Sequence, residues 1–388
     1  MIYADHAATT KMSAEAMAAM VKGWEVYGNP SSLHTIGQEA AVVLQKAREQ
    51  IAVCLDADPK EIYFTSGGSE ADNQALRSAA AIGKRKGHMH IISTAFEHHA
   101  ILHTLEQLKA EGFSITLLDV HENGMITPEQ VEAAIQPDTC LVTVMFANNE
   151  IGSVLPIAEI GEVCRAHGVL FHTDAVQAAG HIPVNVREQN IDMLSLSAHK
   201  FHGPRGIGAL YVKRGIELTS LMEGGGQERG KRPGTENLPA IMGMAAALKE
   251  ECTLMEQNET RVTAMRDRLI QGLSQIPYSI LNGSREKRLP GNVNFCFEGV
   301  SGESLLLLLD SRGICASSGS ACASGALDPS HVLLSLGLAP EIAQGSLRIS
   351  LDISNTEEEI DYMLEVIPQV VEQLRGMSDD WRKKHCED

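Results

Sequence analysis

Through the first two-thirds of the chain, apolar residues come in short continuous runs, each followed by a stretch with helical spacing. The runs predict strands at Ile91-Ile92-Ser93, Ser114–Asp119, Cys140–Phe146, Val169–Thr173, Met193–Ser197 and Gly208–Val212. Helical spacing predicts helices over Ile101–Lys109 and Ile157–His167. Runs that are apolar throughout, rather than alternating, belong to strands covered on both faces. Strands separated by helices imply an α/β fold with a mainly parallel sheet. From residue 250 the pattern changes. A long amphipathic helix is predicted over Ala247–Leu273, then strands at Asn292–Phe297 and Arg348–Ser350. The capping sequence Thr356-Glu357-Glu358-Glu359 starts a last helix, expected to run to about Leu374 through Pro368. These changes divide the chain into a large domain, 16–250, and a small C-terminal α/β domain, 251–388, with residues 1–15 expected to pack against the latter.

Length and charge narrow the function classes. The 388 residues are 44% hydrophobic and 21% charged, a globular composition. Fifty acidic residues against 32 basic ones give a net charge of −18, which disfavours nucleic acid and anionic membranes as partners. The densest apolar run, Leu305–Leu309, is far too short to span a bilayer, and no signal-peptide core follows Met1, so a cytoplasmic location is expected. None of the eight cysteines forms a C-x-x-C pair, so neither a zinc site nor a redox dithiol is expected. Most should be reduced, small and buried.

Three segments carry chemistry. Ile62–Asn73 reads as a strand, a Gly-rich turn (Ser66-Gly67-Gly68-Ser69) and a helix start. Its free N–H groups suit a phosphate, and they equally suit a tight turn with a serine cap. In Phe171–Gln177 an apolar strand ends on Asp174, with Gln177 three residues on. Asp174 is either a helix cap or an acid at the carboxyl end of a strand, where open α/β sheets bind ligands. Leu194–Pro204 delivers Ser197, His199 and Lys200 into a Gly/Pro loop. The lysine is either solvated or a partly desolvated amine able to form a Schiff base. Together, a phosphate cradle, an acid for a ring nitrogen and a Schiff-base lysine are the parts that a pyridoxal phosphate site needs.

At this point the sequence resembles the NifS/IscS-like cysteine desulfurases, pyridoxal 5'-phosphate enzymes of fold type I within the class V aminotransferase family. The resemblance runs over nearly the whole chain, through Asp5–Thr10, Gly28–Ser32, Thr65–Asn73, Glu97-His98-His99, Asn148–Gly152, Asp174–Gln177, Ser197–Lys200, Gly224–Gly230, Arg232–Asn237, Ser317–Cys322 and Arg348–Leu351. It implies a seven-stranded large domain and a homodimer. It further implies that Lys200 holds the cofactor and moves the substrate Cα proton, that His98 stacks on the ring and that Asp174 pairs with the ring nitrogen. Gln177 would contact the phenolic oxygen, and Gly68, Ser69, Ser197 and His199 the phosphate. Thr235 would complete the other subunit's phosphate site. Asn149 would lie beside cofactor and substrate, and Arg348 would clamp the substrate carboxylate with help from Asn29.

Ala316–Ser330 is rich in Ser, Ala and Gly and has little to bury, so a mobile surface loop is expected there. Cys322 near its middle matches the family's nucleophile, whereas Cys315, just before it, reads as core. The resemblance implies that L-cysteine yields L-alanine and a persulfide on Cys322, passed on to an acceptor such as an iron–sulfur scaffold. Asp352 departs from the family, which usually has glycine there, and is expected to bring a charge near the Arg348 clamp. The second histidine, His99, is not general in the family and is given no role. The alternatives are a selenocysteine lyase or another fold-type-I enzyme, or a sulfur-relay binding protein without catalysis. The intact Lys200, Asp174 and Arg348 speak against the last of these.

Overall fold

The computed structural model describes residues 1–319 and 329–385. Strands are numbered in chain order, beginning with β1 (Ile2–Tyr3). The central sheet contains β2 (Ile62–Thr65), β3 (His90–Thr94), β4 (Ser114–Leu118), β5 (Thr139–Thr143), β6 (Leu170–Asp174), β7 (Met193–Ser197) and β8 (Gly208–Val212). Its order is β2-β8-β7-β6-β5-β3-β4. The β4-β3-β5-β6-β7 pairs are parallel, and β8 runs antiparallel to both β7 and β2. Every residue of β3, β5, β7 and β8 is buried, as continuous apolar runs require. Helices Gly68–Lys86 and His99–Ala110 cover one face. The other face packs on Thr35–Leu55, Ile157–His167 and the first part of Leu238–Leu273.

The predicted spans at Met193–Ser197 and Gly208–Val212 coincide with β7 and β8. The run predicted over Cys140–Phe146 ends as a strand at Thr143, because the chain from Val144 onward leaves the sheet to line a cavity. The helix predicted from Ala247 begins nine residues earlier, at Leu238. Asn237 caps it by accepting the Ala240 N–H, and Pro239 sits in the first turn, where a missing N–H costs nothing. This 36-residue helix is about 54 Å long. Its first part, to Leu248, packs with the core beside the seven-stranded sheet, and Val262–Leu273 packs with a second core.

That second core lies around an antiparallel sheet of β9 (Ser279–Leu281), β10 (Asn292–Phe297) and β12 (Ser346–Ser350), in the order β12-β10-β9. Helices Gly302–Ser311 and Glu357–Met377 supply its remaining apolar side chains. The helix predicted from the capping box on Thr356 starts there and carries Pro368 inside it, but it is not the last: Asp379–His385 forms a further helix. The amino terminus joins this unit: β1 pairs in parallel with β11 (Ile314–Cys315), and Ile2 and Ala4 enter its core. Of the cysteines among the described residues, Cys140, Cys164 and Cys296 are buried. Cys54, Cys252 and Cys315 are only half-buried, which corrects the expectation of a core Cys315; it lies on a two-residue strand at the edge.

Candidate active site

A cavity of about 400 Å³ opens at the carboxyl ends of β2, β3, β5, β6 and β7, where an open α/β sheet gathers its ligands. The turn after β2 brings Gly68 and Ser69, the one after β3 Glu97, His98 and His99, and the chain after β5 Met145, Asn149 and Glu150. β6 ends on Asp174, followed by Val176 and Gln177, and β7 ends on Ser197, followed by His199 and Lys200. Ala7, Ala8, Gly319, His331 and Arg348 complete the wall.

The turn after β2 has the form that suits an anion. Gly67 caps the helix Gly68–Lys86 without a side-chain hydrogen bond, so its first N–H groups carry no side-chain acceptor there. A Cβ at Gly68 would stand 2.7 Å from Val176 Cγ2, so the backbone approaches this closely only with glycine. The outer side of the turn is fixed by Glu70, which accepts the Ser66 N–H at 2.7 Å and pairs with Arg232 at 2.9 Å. Behind β2, Arg48 and Glu228 form a buried bidentate pair at 2.6 and 2.8 Å, and Glu228 also accepts the Phe64 N–H. A neutral His199 faces the cradle: burial, then Lys200 and Arg205, pushes its imidazole down to about 4.

Asp174 accepts the Val176 N–H at 2.9 Å. Burial raises its carboxyl, against the opposing charges of His98 and Lys200. Asp72 behind it is raised well above the ordinary range, first by burial and next by Asp174. A cation in contact with Asp174 would reverse this penalty, and a protonated ring nitrogen is such a cation. Lys200 Nζ donates to the carbonyls of Ala7 and Ala8 at 2.6 and 2.8 Å, and Gln177 Nε2 donates to Ala7 O at 2.9 Å. His98 caps its helix, Nδ1 accepting the Ala100 N–H.

Arg348 is buried, with Nε on Ser317 Oγ (2.9 Å), Nη1 on Asn149 O (3.0 Å) and Nη2 on Asp5 Oδ1 (3.0 Å). This network holds the guanidinium plane at the cavity wall, a fork suited to a carboxylate. Asp352 is absent from it. Its carboxylate turns instead to His6 and His202, correcting the expectation of a charge beside the clamp.

Of the other site residues read from sequence, Asn29 is not in this cavity; its Oδ1 accepts the Ser31 N–H on the exposed side of its turn. Thr235 is exposed and lines nothing in its own chain's cavity. Cys322 lies outside the described residues, while Gly319, three residues before it, lines the cavity.

Glu97 and Glu150 lie in stretches that carry the resemblance, Glu97-His98-His99 and Asn148-Asn149-Glu150, yet neither is among the site residues expected from sequence. Glu97 is fully buried, accepting the Thr94 hydroxyl (2.7 Å) and the Met145 N–H (2.9 Å) on Oε1. Its Oε2 has no hydrogen-bond partner among the described residues. Burial pushes its carboxyl up to about 8 from 4.5. The native state therefore keeps a proton that the unfolded chain releases, and the stability this lends below about pH 4.5 is lost as pH rises through about 8. Glu97→Gln, neutral at every pH, is expected to match the parent at pH 5 and to exceed it by up to a few kcal/mol at pH 9 in urea unfolding.

The chain belongs to the class-V aminotransferase family, which matches residues 2–363. Within it the similarity is to cysteine desulfurases. The cysteine desulfurase IscS of Clostridium botulinum strain Hall is 51% identical over 384 residues, 98% of this chain and 96% of that one. The IscS of Methanosarcina thermophila is 48% identical over 97% of this chain and 93% of its own. Among solved structures, a NifS-like protein superposes with a TM-score of 0.90 at 36% identity, covering 96% of this chain and 99% of that chain. The protein SspA, solved in complex with cysteine, matches at a TM-score of 0.80 and 36% identity over 90% and 99%.

Proposed function

We propose that this chain is a pyridoxal phosphate-dependent cysteine desulfurase that moves the sulfur of L-cysteine onto Cys322 and releases L-alanine. One observation carries the reading: a single cavity gathers an anion cradle, a buried acid, a lysine and an arginine fork at the carboxyl ends of five strands. The residues present fit the cofactor. Gly68, Ser69, Ser197 and His199 would hold its phosphate, Asp174 its ring nitrogen and Gln177 its phenolic oxygen, with Lys200 as the covalent anchor and His98 over the ring. When bound, pyridoxal phosphate supplies an electron sink that makes the substrate's Cα proton acidic.

The chain's own groups do the rest. Arg348 takes the substrate carboxylate, with Asn149 beside it, so the Cα–H bond is presented to Lys200. The lysine amine takes that proton and returns one to the product. The Cys322 thiolate attacks the substrate sulfur; the S–S bond forms as the Cβ–S bond breaks, and Cβ gains a proton. Cysteine plus thiol thus becomes alanine plus persulfide, with no outside oxidant. Gly319 at the cavity wall supports this role for the residue three places on.

The small domain and residues 1–15 act as one unit over the large domain in this reading. Thr235, exposed in its own chain, serves the cavity of a second copy. Helix Ala14–Glu25 bears an exposed apolar stripe, Met17, Val21 and Trp24, suited to such a contact. No helix among the described residues is long and apolar enough to cross a membrane, in keeping with a cytoplasmic enzyme that hands sulfur to an acceptor such as an iron–sulfur scaffold.

The test is to incubate the cofactor-loaded protein with L-cysteine and measure alanine and protein-bound sulfane sulfur. Equal amounts of the two in the first turnover, with the sulfur mapped to Cys322, are expected. Alanine without a persulfide on Cys322 would overturn the assignment and favour a lyase acting directly.

A further inference from the structure

We propose that Asp352 is a positioning residue for this reaction, acting through His6 and His202 to fix the stretch 5–11 that walls the cofactor cavity. The proposal rests on the pyridoxal phosphate reading above. Its starting point is that two proposed cofactor ligands donate to this stretch: Lys200 to the carbonyls of Ala7 and Ala8, and Gln177 to that of Ala7. Those carbonyls belong to a segment with no helix or ladder of its own beyond the single Asp5–Ser350 bridge. Whatever holds that segment sets where the lysine amine and the glutamine amide sit.

Two grips hold it. From the small domain, Ser350 Oγ accepts the Ala7 N–H at 2.8 Å and Ser350 O accepts the His6 N–H at 3.3 Å. From the lysine loop, His199 O accepts both the N–H and the hydroxyl of Thr10 at 2.9 Å, and the His202 N–H donates to Thr10 Oγ1 at 2.8 Å. Asp352 touches both grips. Its Oδ2 lies 2.9 Å from His6 Nδ1 and 3.4 Å from His202 Nε2. Its Oδ1 accepts the Ser354 N–H at 2.7 Å and the Ser354 hydroxyl, so the carboxylate itself is clamped.

The charges are arranged to keep this junction closed. Asp352 and His6 are more than nine-tenths buried. Although burial raises it, the Asp352 carboxyl is pulled down to about 2, chiefly by the close His6 ring and next by Ser354 and the charge of His202. The ring nitrogens of His202 face the Lys11 carbonyl at 2.9 Å and the Asp352 carboxylate at 3.4 Å. Glu251 stands 4.0 Å from His202 with its own carboxyl raised by burial, and His181, lowered by burial, donates to Lys200 O at 2.9 Å. These groups surround a cavity of about 70 Å³ that Ala7 and Gln177 separate from the cofactor cavity. A misplacement of about 1 Å in groups of this kind lowers turnover markedly while leaving substrate affinity to other residues.

The experiment compares the parent with Asp352→Asn, which keeps size and the Ser354 contacts, and with His6→Asn. In the cofactor-loaded enzyme, Asp352→Asn should lower kcat about tenfold while KM for L-cysteine, set by Arg348, stays within about twofold. The absorption maximum of the bound cofactor should shift. In the cofactor-free chain, amide hydrogen exchange over residues 5–11 should quicken about tenfold with the rest of the large domain unchanged. His6→Asn should give the same pattern, and the double variant should lose no more than either single one. Unchanged exchange and kcat in both variants, or exchange quickened throughout the chain, would overturn the proposal. A parent protein that takes up no pyridoxal phosphate would instead defeat the cofactor reading, and the exchange comparison would still judge Asp352.

Discussion

Lys200→Ala is expected to abolish turnover of L-cysteine, by about three orders of magnitude or more, while the chain stays folded. Among the described residues lining the cavity, the amine is the one group that can both anchor an aldehyde cofactor and carry a proton at the substrate Cα. In the structure its Nζ donates to Ala7 and Ala8, and Ala7 O keeps the Gln177 donor when the lysine is gone. Unfolding stability should therefore fall by only about 1–2 kcal/mol. Borohydride should fix the cofactor to the parent protein at residue 200 and leave none on the variant. Covalent cofactor on the variant, or more than a trace of alanine from it, would show that another amine does the work.

Cys322→Ala should separate cofactor chemistry from sulfur transfer. Asp174, Gln177, the glycine cradle and Lys200 are untouched, so the variant should bind pyridoxal phosphate as the parent does. Alanine formation from L-cysteine should fall by about a hundredfold or more, because the substrate sulfur has lost its acceptor. Protein-bound sulfane sulfur should vanish. An aminotransferase would not notice the change, and a selenocysteine lyase could release its product without the thiol. Alanine production at the parent rate would therefore move the assignment to one of those enzymes.

The strands and the cavity floor were legible from sequence because each is a local signal. Met193–Ser197 and Gly208–Val212 are apolar throughout, and Asp174, Ser197 and Lys200 stand where such runs end. The start of the long helix was not legible, because Pro239 and Gly243 read as breakers. Pro239 is harmless in a first turn, and Gly243 serves packing: a Cβ there would stand 2.7 Å from Met20 Cγ. Asp352 misled for a different reason. Adjacency to the Arg348 strand placed its charge near the clamp, but its partners, His6 and His202, come from distant parts of the chain. The state of Glu97 has no local sign in the sequence, because it follows from tertiary burial, which raises its carboxyl to about 8.

The stitching of residues 2–8 into the C-terminal unit also bears on synthesis. Asp5 waits for Arg348 across 343 residues, and Ile2 pairs with Ile314. At ribosomal speed that interval is roughly half a minute, during which Asp5 lacks this partner while Ala7, Ala8 and Thr10 can already meet Gln177, His199 and Lys200. The cofactor cavity gains the wall that Arg348 supplies only after the rest of its described lining has been made. The central sheet, complete by β8, can thus form well before that wall is in place.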